Sequence, residues 1–174
     1  MKKNFILQIL SFTVILAFLG LPLASNAQGS KANFSGTWAF NAEKSQMGEQ
    51  GQGGGMRGGG GNMVVKQEGN LLTVEQTRTG QDGQSTTTTS KYTLDGKESV
   101  NTTARGESKS IATWSADGKS VNVVTTRSFE RDGQTTQMKT TEVWSLTSPT
   151  ALSVVSTMST PNGDRKTTRA YDKK

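Results

Sequence analysis

The chain contains no cysteine and no histidine. Without cysteine there are no disulfides and no thiolate metal sites, so stability rests on packing and backbone hydrogen bonds. Without histidine the imidazole bases of His-Asp triads and Cys-His pairs are gone, together with imidazole metal ligands. Other devices are missing as well. No D-x-D-x-D-G loop marks a calcium site, no full G-x-x-x-x-G-K-[ST] sequence marks a phosphate loop, and basic residues do not cluster into the stripe that nucleic acid requires. Carboxylate pairs are the one catalytic device left. Asp82, Asp95, Asp117, Asp132 and Asp164 sit in turns, where the side chain caps the local backbone. Glu75, Glu98, Glu130 and Glu142 lie on strand-like segments, and strand pairing alone brings no two of them to a catalytic separation. The expectation is a protein that is not an enzyme, with no catalytic residues, no metal and no cofactor.

The N-terminal segment has a different character. Lys2 and Lys3 precede an apolar run from Phe5 to Leu21, followed by Pro22 and the small-residue sequence Ser25-Asn26-Ala27. This is the pattern of a secretory signal peptide cut after Ala27. A retained anchor is the competing reading, since the run approaches the length of a membrane span. Against it, Gln8 interrupts the run and a cleavage-like sequence follows. The expected organisation is a signal peptide over 1–27 and a single domain over 28–174. The expected location is periplasmic or secreted, in a Gram-negative bacterium, with no membrane span once the signal is removed. Loss of Lys2 and Lys3 leaves 18 basic residues against 14 acidic ones, a net charge of +4. That charge is spread along the chain, which favours weak contact with anionic envelope components and no nucleic acid partner.

From Phe34 onward, segments rich in Thr, Val and aromatics alternate with Asp-Gly, Asn-Gly and Pro-containing turns. Asp-Gly and Asn-Gly supply the positive φ angles of tight hairpins, and their spacing of 10 to 15 residues is that of a meander. Strands are predicted at 34–41, 62–68, 70–79, 84–94, 97–105, 108–116, 119–130, 134–146, 150–159 and 164–172. An open sheet of that size would curl or split, whereas closure removes its edges. The fold class predicted is therefore all-β, an up-and-down antiparallel β-barrel of about ten strands. An outer-membrane barrel does not fit, because Thr86 to Thr89 would put polar groups on both faces of one strand.

One segment breaks the rhythm. Residues 46–62 contain nine glycines and are predicted to form a flexible glycine-rich loop between the first two strands. Gly53, Gly55 and Gly58 match G-x-G-x-x-G, but no buried strand precedes them and no helical pattern follows, so a chance match is the better reading.

The two ends of the predicted barrel carry the candidate site. In Phe34-Ser35-Gly36-Thr37-Trp38, the period of two puts Phe34, Gly36 and Trp38 on one face. Gly36 permits close backbone approach, and Trp38 is large enough to plug one end of a barrel. In the last strand Arg165, Thr167, Arg169 and Tyr171 share a face. If that face is inward, Arg169 and Tyr171 offer a guanidinium fork and a phenol to one interior point, a geometry suited to a carboxylate. The alternatives are that Arg169 stacks on Trp38, or that the face is solvated.

The opening F-x-G-T-W (Phe34, Gly36, Thr37, Trp38), the ten-strand meander and the ending Thr168-Arg169-Ala170-Tyr171-Asp172-Lys173 resemble the intracellular fatty-acid-binding proteins. That family opens on F-x-G-T-W and closes on T-R-x-Y-E-K. The wider calycin group, including the lipocalins with their G-x-W opening, shares the theme. The resemblance implies a barrel that binds a fatty acid or similar amphipathic small molecule, its headgroup held by Arg169 and Tyr171 with a second arginine from a middle strand. Arg127 is the candidate for that second arginine, because it shares a face with Val123 and Phe129. The sequence departs from the family in having a glycine-rich loop where the family has a helix-turn-helix lid, and in carrying an export signal. It also resembles small secreted bacterial proteins that begin F-S-G-T-W and carry N-x-x-K-S soon after, here Asn41-Ala42-Glu43-Lys44-Ser45. The function expected is non-enzymatic binding of an amphipathic or hydrophobic ligand. The alternative is a structural or interaction module of the cell envelope with no small-molecule ligand.

Overall fold

The structure, a computed structural model, describes residues 30–46, 60–80, 82–103, 106–131, 134–160 and 163–174. The predicted signal peptide and most of the glycine-rich segment lie outside the described residues. Within them the chain forms ten strands. These are β1 (Gly36–Gln46), β2 (Asn62–Glu68), β3 (Leu71–Thr79), β4 (Ser85–Thr93), β5 (Asp95–Thr103), β6 (Gly106–Trp114), β7 (Ser120–Arg131), β8 (Gln134–Ser148), β9 (Ala151–Thr160) and β10 (Gly163–Lys173). All neighbouring pairs are antiparallel, in the order β4-β3-β2-β1-β10-β9-β8-β7-β6-β5. The sheet curls into a nearly closed up-and-down barrel, as the turn spacing predicts.

Alternation sets the two faces. In β2, Met63 and Val65 are buried while Asn62, Val64 and Lys66 are exposed. In β6, Ser108, Ser110 and Ala112 are buried between exposed Lys109, Ile111 and Thr113. A slip of one residue would exchange these sets, so burial fixes the register. The apolar core occupies one half of the interior: Phe34, Trp38, Val65, Leu72, Val121, Val123, Leu152 and Val154 are all at most 2% exposed. The other half is lined by threonine, serine and arginine.

The segment ahead of β1 closes the apolar end. Phe34 is fully buried, stacked on Trp114 at 5.9 Å and edge-on to Trp144 at 6.4 Å. Burying a side chain of this size contributes about 1.5–3 kcal/mol. Hydrogen bonds hold the segment in place: Gln67 Oε1 accepts from the Phe34 amide at 2.9 Å, and Gly118 O accepts from the Ala32 amide at 2.9 Å.

Three features were not visible in the sequence. First, β1 does not stop near residue 41 but bulges there and runs on to Gln46. Second, the glycine-rich run is close-packed where it re-enters the barrel. A Cβ on Gly61 would lie 2.2 Å from the Thr77 carbonyl oxygen, so only glycine fits there. Third, β4 and β5 follow one another in the chain but share no ladder. Side chains bridge them instead. Asn101 Oδ1 accepts from the Lys91 amide at 2.7 Å, Asn101 Nδ2 donates to the Lys91 carbonyl at 3.0 Å, and Ser99 Oγ accepts from the Thr93 amide at 2.9 Å. One amide side chain thus replaces a ladder pair, which satisfies backbone groups that would otherwise be orphaned.

Candidate functional site

The ladder registers place Arg169 opposite Val154 and Tyr171 opposite Leu152 and Phe40. Val154 and Leu152 are core residues, so Arg169 and Tyr171 both sit on the inward face of β10. Arg127 pairs with Ser108 on one side and Met138 on the other, on the inward face of β7 that also carries Val121 and Val123. All three sequence-derived site residues therefore share the lumen wall. Tyr171 belongs to the buried core cluster, while Arg127 and Arg169 are only partly buried.

A fourth residue joins them that sequence reasoning set aside. Glu142 pairs in register with Val123 and Ser156, which also points it inward. Its Oε1 accepts from Arg169 Nη2 in an ion pair whose side chains are only 14% (Arg169) and 20% (Glu142) exposed, and its Oε2 accepts from Trp144 Nε1 at 3.2 Å. A strand glutamate sharing a face with Trp144 was the signal available. What hid it was that β8 and β10 are not adjacent, so no pairing rule links the two residues.

The electrostatics of the site follow from this arrangement. Burial works to lower the Arg169 pKa, but the Glu142 carboxylate and the neighbouring Tyr171 and Tyr92 outweigh it, and the net direction is up. Burial raises the Tyr171 phenol and Glu142 raises it further, against the opposing pull of Arg169, Arg78 and Gln76. Tyr92, on the inward face of β4 opposite Leu72, is raised by burial and then by Glu142, against Ser90, Arg169 and Arg127. Each effect is the expected one for its cause.

The site is incompletely satisfied. Among the described residues, the buried Nε of Arg127 and the Nε of Arg169 have no hydrogen-bond partner, nor does Trp114 Nε1, while the Tyr171 hydroxyl has only Gln76 beside it. Buried donors in this state are uncommon and costly. The charge is also unbalanced. Strand alternation puts Arg78, Arg127, Arg165 and Arg169 at inward positions, and Glu142 is the only acidic side chain at a regular inward strand position among the described residues. Glu75, Glu98 and Glu130 point outward. No group of His, Cys, Asp and Glu among the described residues could hold a metal ion.

Trp38 and Gly36 are placed together, though not with the cation considered from sequence. Trp38 is fully buried and its Nε1 donates to the Phe34 carbonyl at 2.9 Å. The cation over its ring is Lys173, whose Nζ lies 5.4 Å from the centroid. Arg169 is instead engaged by Glu142. Gly36 has φ 149, and a Cβ there would meet Lys173 Cε at 2.6 Å. The positive φ is what favours glycine there, while the lysine that crosses it to reach the tryptophan has a flexible end that could shift aside.

The N-x-x-K-S sequence forms a clip. Asn41 Nδ2 donates to Asp172 Oδ2 at 2.6 Å and Lys44 Nζ to Asp172 Oδ1 at 2.9 Å, while Asn41 Oδ1 accepts from the Lys44 amide at 3.0 Å. Ser45 Oγ donates to the Asn41 carbonyl at 2.6 Å and accepts from the Ala170 amide at 2.9 Å. These bonds satisfy the β1 bulge against β10. The Asp172 carboxyl is held below the usual range by Asn41 first and Lys44 second.

No family model matches this chain, and no curated protein matches it. Among solved structures, the chain is similar to the crystal structure of zebrafish ileal bile acid-binding protein complexed with cholic acid. The TM-score is 0.55 at 20% identity, covering 81% of this chain and 98% of that one. The fold is that of the fatty-acid-binding-protein-like barrels. At this identity the likeness concerns the fold alone.

Proposed function

We propose that this protein is a non-enzymatic carrier that binds an anionic amphipathic small molecule inside the barrel. The apolar part of the ligand rests on the Val, Leu and aromatic half of the lumen, and its acid meets Arg127. The observation that carries this reading is the buried Nε of Arg127, a donor with no partner and no carboxylate paired to its guanidinium among the described residues. An entering carboxylate would supply the missing acceptor, and charge-assisted bonds of this kind are the stronger ones. The fold it shares with a bile acid-binding protein supports the same class of ligand.

The reading extends to location. The pattern over 1–27 supports export, with signal cleavage after Ala27 and a barrel domain over 28–174 acting in the periplasm or outside the cell. Native mass spectrometry of the protein purified from its own host tests both parts. The expected result is a chain beginning at Gln28 with an acidic ligand bound. Arg127→Ala is then expected to weaken binding of a fluorescent fatty acid by at least tenfold, about the contribution of one charge-assisted hydrogen bond. Arg127 is the informative choice, because removing Arg169 would also strand Glu142. Unchanged binding by Arg127→Ala, or no saturable binding at all, would leave the envelope interaction module as the better reading.

A further inference from the structure

The Arg169–Glu142 pair changes what the lumen can select. A guanidinium that already faces a carboxylate is poorly placed to hold a second one, because the incoming acid meets the negative charge of Glu142 as well as the positive charge of Arg169. A neutral group that both donates and accepts meets no such conflict. Glu142 uses Oε1 for Arg169 and Oε2 for Trp144 Nε1, and a carboxylate with two oxygens retains acceptor capacity beyond two bonds. Arg169 Nε is a buried donor without a partner on the same guanidinium. The pair therefore offers a spare acceptor beside a spare donor, the complement of a hydroxyl group.

Resting on the carrier reading above, we propose that Glu142 is the specificity-determining residue of this barrel: by occupying Arg169 it directs the ligand's acid to Arg127 and reserves the Arg169–Glu142 pair for a hydroxyl on the ligand's body. The ligand class is then a hydroxylated amphipathic acid, preferred over a plain fatty acid of the same length. Trp144 supports this role by donating its Nε1 to the carboxylate at 3.2 Å from a residue that is only 3% exposed.

The test compares two probes, stearic acid and 12-hydroxystearic acid, by displacement of a fluorescent fatty acid from the wild-type barrel and from Glu142→Gln. Wild type is expected to prefer the hydroxylated acid by about tenfold, the size of one net hydrogen bond. In Glu142→Gln the Arg169 charge is released, so stearic acid is expected to gain affinity and the preference to vanish. Circular dichroism first establishes that the variant is folded. If it is not, the double variant Glu142→Gln/Arg169→Gln, which removes the pair without stranding either charge, is expected to lose the preference while keeping the contribution of Arg127.

A wild-type barrel that binds both probes equally, with a ratio unmoved by either variant, overturns this inference. The carrier reading would survive that result provided Arg127→Ala still weakens both probes. The ratio is the readout that a purely structural Glu142 would leave untouched.

Discussion

At the scale of single residues, the ending T-R-A-Y-D-K has a use for nearly every side chain. Arg169 and Tyr171 point into the lumen, Asp172 points out to hold the Asn41–Ser45 clip, and Lys173 lies over Trp38. Gly36 is a constrained position of this set, because its φ is one that residues with a side chain rarely adopt and a Cβ would also push Lys173 aside. Gly36→Ala is expected to destabilise the protein by about 1–3 kcal/mol, the usual cost of a non-glycine residue in a disfavoured backbone region. Urea unfolding would show this as a lower midpoint with an unchanged slope. Adding Lys173→Ala should recover the part that comes from the clash and leave the backbone part in place.

At the scale of elements, the strand plan was legible from turn chemistry and residue type. β2 falls on the residues predicted, and most other strands agree to within two at each end. Sequence periodicity also grouped the residues that share a face in β7 and β10, because alternation needs only local spacing. What it could not reach were relations between strands that are not neighbours and hydrogen bonds made by side chains. The Arg169–Glu142 pair spans β9, and the bulge in β1 is stabilised by Asn41, Lys44 and Ser45 acting on a strand at the far end of the chain. The unladdered seam between β4 and β5 belongs to the same class, since Leu94-Asp95-Gly96 reads as an ordinary hairpin turn. Asn101, only 9% exposed, holds that seam through both backbone groups of Lys91. Asn101→Ala is expected to cost about 1–3 kcal/mol by leaving buried polar groups unmet. Hydrogen exchange should show the Lys91 and Thr93 amides losing protection first, while the amides of β9 stay protected.

At the scale of the whole molecule, the chain has two tyrosines, and both are built into the barrel interior. Burial is the largest cause of the raised pKa at each. A raised folded-state value means that the folded protein holds its phenol protons when the unfolded chain, with values near 10, has begun to lose them. The stabilisation is complete below about pH 10 and disappears as pH rises through the folded-state values. Absorbance of tyrosinate should therefore appear late and together with loss of the near-ultraviolet signal of the buried tryptophans. A titration near pH 10 with the fold intact would contradict the burial of both rings.

The seam between β4 and β5 has a mechanical consequence. Nine neighbouring strand pairs are joined by backbone ladders, and the tenth junction depends on a few side chains. The wall is thus a belt fastened by a buckle: its girth can increase at one place by trading a handful of bonds for water, with every ladder intact. Any widening of the barrel is accordingly easiest along the line from Lys91 to Ser99.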